Sequence, residues 1–162
     1  MRQILLLCLL ASLPAAAFAQ HSHGYLFVAP GAVSARFLST RGSTATLHLG
    51  AGGEGILGKG IGIGLELGAL LPSENIEGAV AIFSVNGYYH FLHEHQKADP
   101  FVTAGYTLGY RGARANLFNF GGGVNYWFIS HLGAKVELRD HVWKPDNATV
   151  HAWGVRLGLA FR

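Results

Sequence analysis

The stretch from Gly60 to Leu71 alternates cleanly as far as Ala69. Ile61, Ile63, Leu65, Leu67, Ala69 and Leu71 share one face, and Gly60, Gly62, Gly64, Glu66 and Gly68 share the other. A period of two sends successive side chains to opposite faces of a β-strand. A helix would lose about 1 kcal/mol for each of these glycines relative to alanine. The segment is therefore committed to β structure, and the pattern recurs along the chain. In 100–111, Val102, Ala104, Tyr106, Leu108 and Tyr110 alternate with Thr103, Gly105, Thr107, Gly109 and Arg111. In 116–128, Phe118, Phe120, Val124, Tyr126 and Phe128 oppose Asn119, Gly121, Gly123, Asn125 and Trp127. In 132–141, Leu132, Ala134, Val136 and Leu138 alternate with Lys135, Glu137, Arg139 and His141. In 151–162, Trp153, Val155, Leu157, Leu159 and Phe161 alternate with Gly154, Arg156, Gly158, Ala160 and Arg162.

Segments 78–92, 46–57 and 24–35 complete a set of eight expected strands. In the first of these, Ser84, Asn86, Tyr88 and His90 face away from Phe83, Val85, Tyr89 and Phe91. In the second, His48, Gly50, Gly52 and Glu54 oppose Leu47, Leu49 and Ala51. Pro30-Gly31 interrupts the third and is read as a bulge or bend, because proline removes a ladder hydrogen bond. Turn signals at 57–60, 93–99 and 130–131 lie at one end, and those at 37–43, 72–77, 112–115 and 143–148 at the other. All fit antiparallel hairpins, so the expected topology is a meander in one domain, residues 20–162.

The leader precedes that domain. Arg2 supplies positive charge, Ile4 to Leu13 is apolar, and Ala17-Phe18-Ala19 is a small-x-small cleavage site. Residues 1–19 read as a secretory signal peptide. Their apolar run is shorter than the about 20 residues of a membrane-spanning helix. Cys8, the chain's 1 cysteine, falls inside the leader, so neither a disulfide framework nor a multi-cysteine metal site is expected. Nucleic acid is not an expected partner: 12 basic residues against 9 acidic ones form no basic run.

Alternating strands can put their apolar face inside, as in a soluble barrel, or outside, as in a membrane barrel. The non-apolar face decides for the second. It carries mostly glycine and a few large charges: Glu54, Glu66, Arg111, Lys135, Glu137, Arg139 and Arg156. A water-facing surface would carry roughly 25–35% charge, and the whole chain has 13%. These groups read instead as a lumen charge network, since an eight-stranded barrel is filled by its own side chains. Aromatics fall at two heights. Tyr25, Phe27, Tyr89, Phe91, Phe101, Tyr126, Phe128 and Phe161 gather at one end, and Tyr110, Phe118, Trp143 and Trp153 at the other. Two aromatic belts around an aliphatic band mark a bilayer interface. Strands of ~10 tilted residues span a bilayer, and the length available excludes a wide single-chain porin.

The chain resembles the small outer-membrane β-barrel family of the OmpA transmembrane domain and OmpX. The resemblance rests on Phe120-Gly121-Gly122-Gly123-Val124-Asn125-Tyr126-Trp127-Phe128, a tight turn, and Leu132-Gly133-Ala134-Lys135-Val136-Glu137-Leu138-Arg139-Asp140. It implies an eight-stranded transmembrane β-barrel in a bacterial outer membrane. It also implies an assembly signal at Phe161, read by the barrel-assembly machinery, although Arg162 follows that aromatic. Outer-membrane lipid and that machinery are the expected partners, and a monomer the expected state.

No enzymatic activity, metal or cofactor is expected. Some eight-stranded barrels resemble lipid A deacylases, and Arg139-Asp140-His141 is loosely similar to their late strand. No serine follows His141, so a nucleophile is missing. His93-Glu94-His95 and His21-Ser22-His23 lack a third fixed ligand. His48 and His90 read as hydrogen-bonded lumen residues. An Asn147-Ala148-Thr149 sequon carries little weight in a bacterial outer membrane. The expected role is structural or interactive, or at most that of a very narrow pore. The contact surface is expected in the loop 143–150, through Trp143, Lys144 and Asp146. A periplasmic lipocalin-like binder of apolar ligands is the main alternative, and a lipid A-modifying hydrolase the lesser one.

Overall fold

The computed structural model describes residues 22–37, 40–73, 76–91, 97–145 and 148–162. The leader 1–19 with Cys8, and His21, His93-Glu94-His95, Asp146 and Asn147, lie outside the described residues. Strands β1 (Ser22–Phe37), β2 (Thr40–Gly58), β3 (Ile61–Pro72), β4 (Val80–His90), β5 (Ala98–Arg111), β6 (Ala113–Ile129), β7 (Leu132–Trp143) and β8 (Ala148–Phe161) follow one another, with one 3-10 turn at Ile76–Gly78. Every neighbouring pair is antiparallel, and β8 pairs back onto β1 to close the barrel. Among the described residues no helix is long and apolar enough to cross a membrane.

Alternation decides what each wall sees. Ile61, Ile63, Leu65 and Leu67 on β3 point outward, and Leu67 is 64% exposed. Val102, Val124, Val136, Leu138, Leu157 and Leu159 continue that outward aliphatic band around the barrel. The interleaved positions point into the lumen, where Glu66, Asn125, Lys135, Glu137, Arg139 and Arg156 are buried. The apolar core of a soluble protein is thus turned inside out.

Several strands run past the alternating segments. Phe37 pairs with Thr40 and Arg36 with Arg41, so the β1–β2 ladder continues through a stretch expected to be a turn. Backbone pairing extends beyond the apolar band, where no lipid imposes a two-residue period.

The expected bulge at Pro30-Gly31 does not occur. Pro30 pairs with Leu47 in unbroken register, and Val28↔Leu157 and Gly31↔Gly154 keep one register across the β1–β8 seam. The close approach is absorbed at Gly31 instead, where a Cβ would stand 2.0 Å from the Trp153 carbonyl oxygen. The register shifts lie at Ile56/Gly58 and Trp127/Ile129, both beside tight turns.

Candidate functional site

The lumen is the chemically distinctive part of the molecule, and its middle is a set of charges on three strands. Glu66 comes from β3, Lys135, Glu137 and Arg139 from β7, and Arg156 from β8. Glu137 and Arg156 are direct cross-strand partners. Arg156 reaches across the barrel and grips Glu66 with both terminal nitrogens, Nη1 to Oε2 at 2.5 Å and Nη2 to Oε1 at 2.9 Å. Such forked pairs are the strongest ionic hydrogen bonds. Arg156 also lies 3.9 Å from Glu137 Oε1. Arg139 Nε donates to Glu137, and Lys135 Nζ stands 3.6 Å from its other oxygen.

Neutral groups extend the network. Arg139 Nη1 donates to Asn119 Oδ1 at 2.7 Å. The Asn119 amide donates to Asn86 Oδ1 and Thr107 Oγ1, both at 2.9 Å. Ser84 and Thr107 share a hydrogen bond of 2.8 Å. Tyr25 donates to Glu66 at 3.2 Å and sits 3.0 Å from the Tyr88 hydroxyl. Lys135 lies over the Phe101 ring at 3.8 Å and the Tyr25 ring at 4.7 Å, where the ring faces attract its charge.

A second cluster occupies the end where the chain termini meet. His90 bridges two carboxylates, with Nε2 2.5 Å from Glu54 and Nδ1 2.8 Å from Asp99. His23 Nε2 is 3.5 Å from the other Glu54 oxygen. The Arg162 guanidinium lies 3.8 Å over the Trp127 ring, across the mouth of the barrel. Asp99, expected in a turn, was missed here, as was the burial of His23. The place of Asp99 two positions before the inward Phe101 is the parity signal that would have found it.

Placement of the other expected residues divides by parity. Arg111 is not in the lumen: it is exposed at the end of β5, beyond the interior wall. Tyr25, Phe27 and Phe101 are not in the aromatic belt either. Tyr25 and Phe101 are each 2% exposed, and all three point inward. The belt expectation used height along the strand. On β1 the outward residues are Leu26 and Val28, and on β5 Val102, one position away in each case. Tyr89, Phe91, Tyr126, Phe128 and Phe161 at one end, and Tyr110, Phe118, Trp143 and Trp153 at the other, are exposed on the outer wall.

Glycine makes room for the inward rings. Tyr25 pairs with Gly52 and Phe27 with Gly50. A Cβ at either glycine would fall 2.5 Å from a carbon of the facing ring. Each of these rings thus lies against a glycine across the ladder.

His141 and Asp140 point to opposite faces. His141 is buried in the lumen, whereas Asp140 pairs on the outer wall with His151 at 2.7 Å. His48 is buried in the lumen as expected; its Nε2 has no hydrogen-bond partner, and its ring packs edge-on against Phe27. Among the described residues no group of three or more His, Cys, Asp and Glu side chains is placed to hold a metal ion. A lumen cavity of about 30 Å³ lies beside His48, Arg139, His141 and Arg156.

A closed eight-stranded meander, aliphatic outside, charged inside and ringed by aromatics at both ends, defines a transmembrane β-barrel. The chain belongs to the family of the outer membrane protein beta-barrel domain, which matches it over residues 4–161. Solved structures agree with this fold. The N-terminal β-barrel domain of Pseudomonas aeruginosa OprF aligns over 85% of this chain and 96% of its own, with 18% identity and a TM-score of 0.57. Neisserial surface protein A aligns over 85% and 96%, with 10% identity and a TM-score of 0.63. Ail of Yersinia pestis, solved in complex with the heparin analogue sucrose octasulfate, aligns over 87% and 99%, with 11% identity and a TM-score of 0.53. No curated protein matches the chain by sequence. The family and these neighbours are barrels of the outer membrane.

Proposed function

We propose that the chain is exported by its leader and inserts as a monomeric outer-membrane barrel with a self-plugged lumen. In this reading it is not an enzyme. It acts through its lipid-facing wall and the loops at the end away from the termini. The observation that carries the reading is the Arg156–Glu66 fork, which ties β8 to β3 straight across the interior. A conducting pore would keep such groups apart and hydrated. Here Glu66, Glu137, Arg139 and Arg156 are each no more than 1% exposed. A lipocalin-like binder of apolar ligands needs the reverse arrangement, with the aliphatic face lining the cavity.

Phe161 is the residue we assign as the assembly signal. It faces outward as the last residue of β8, where the barrel-assembly machinery would read it. Trp143 and Lys144 are exposed at the β7–β8 connection and are proposed as its contact surface.

Planar-bilayer recording tests the reading. The refolded chain is expected to give no steady conductance, with at most brief small openings. Sustained ohmic current from the wild-type chain would overturn the plugged lumen.

A further inference from the structure

The cavity of about 30 Å³ in the lumen lies on the far side of the charge network from the chain termini. We propose that it is a binding site for one small monovalent anion of halide size. Three polar atoms in its wall side chains have no hydrogen-bond partner: Arg139 Nη2, His48 Nε2 and His141 Nε2. All three residues are more than nine-tenths buried, at 1%, 6% and 6% exposure. Buried polar atoms are nearly always paired, so three orphans around one space call for an occupant.

The lining selects its charge. Arg139 and Arg156 both face the cavity, and no carboxylate does. Glu66 and Glu137 hold the two guanidiniums from elsewhere in the lumen and leave Arg139 Nη2 free. A guanidinium offers only donors, and each imidazole can present Nε2 as a donor. A cation here would meet two guanidiniums in the wall, while the carboxylates that pair with them lie outside it. The rest of the wall includes Leu70 and Ile82, which give nothing to a hydrated ion. The volume exceeds the roughly 10–15 Å³ that one water requires, which leaves room for one small ion. The rings are held for this role: His48 stands edge-on to Phe27 at 5.0 Å and to His141 at 5.8 Å between centroids.

Bromide replaces chloride and is visible by anomalous scattering. Crystals of the refolded chain soaked in bromide are expected to show one anomalous peak between Arg139 and the two imidazoles. Thermal unfolding in detergent is expected to give a higher, saturable Tm in potassium bromide than in potassium gluconate of equal ionic strength. The shift should vanish in His48→Leu/His141→Leu and persist in Arg114→Ala, an exposed position outside the cavity. If the double variant does not fold, the wild-type anomalous map decides alone. Ordered water in the cavity without anomalous signal, or bromide only beside exposed Arg36, Arg111 or Arg114, would overturn the proposal. A halide peak can be present in a plugged or a leaking barrel, so this result and the conductance result are independent.

Discussion

Arg156 illustrates what a charge inside this barrel demands. Removing one partner of a buried pair strands the other, at a cost of about 3–5 kcal/mol. Arg156→Met is therefore expected to lower unfolding stability by about that amount, read from urea titration of the barrel in detergent. The double variant Arg156→Met/Glu66→Leu should lose far less than the two single changes added together, because no ion is left unmatched. Additivity within error would show that the fork contributes little. Gly52 makes a different point. A methyl group there meets the Tyr25 ring at 2.5 Å, so Gly52→Ala should destabilise by roughly 1–3 kcal/mol through overpacking. Adding Tyr25→Leu should restore much of that loss, and a Gly52→Ala barrel as stable as wild type would refute the close fit. The charged lumen residues were legible because large charges alternating with aliphatics have few other places to go. Tyr25, Phe27 and Phe101 were misplaced because an aromatic near a strand end satisfies either wall. Only its parity against Leu26, Val28 or Val102 separates the two.

The strands were the most readable part of the chain. Where lipid presses on one wall and packed polar groups on the other, each position is constrained and the two-residue period is clean. β3 shows this along most of its length. The strand ends were less readable. Thr40 to Ala45 on β2 lies above the aliphatic band, so pairing there carries no hydrophobic mark. Pro30 was misjudged for a related reason. Its missing N–H was expected to break register, but Gly31 lets β8 come close enough for the ladder to resume unshifted. The same logic grades substitutions by depth. Leu67→Arg, on the outward wall in the middle of β3, is expected to cost about 2–4 kcal/mol in refolding stability in lipid vesicles. Arg114→Glu, exposed at the start of β6, should change it by less than about 1 kcal/mol. Equal losses at the two positions would mean that the bilayer does not sit on the aliphatic band.

Taken whole, the molecule is a cylinder whose inside is filled by its own side chains. Such a barrel is expected to resist detergent at room temperature and to migrate differently on a gel before and after boiling. A single unshifted band would argue against the closed form. Size-exclusion with light scattering should return one chain per micelle, and a larger assembly would revise the monomer assignment. Fold and membrane class could be read from the pattern of residues, because both follow from which wall is greasy. The pairing of Arg156 with Glu66 could not. Three lumen cations and several lumen acids allow many matches, and the choice depends on tilt and register that alternation leaves open.

The seam between β1 and β8 adds a demand on timing. Gly24 meets Phe161 there, so the first and last strands are neighbours in space although almost the whole chain separates them. Contacts of that separation form late and slowly. Until they form, the curling ribbon has two raw edges whose amides have nothing to bind in oil. A half-made version therefore has no stable resting place in the bilayer, and a variant that weakens the pairing of β8 with β1 is expected to insert more slowly into lipid vesicles than wild type.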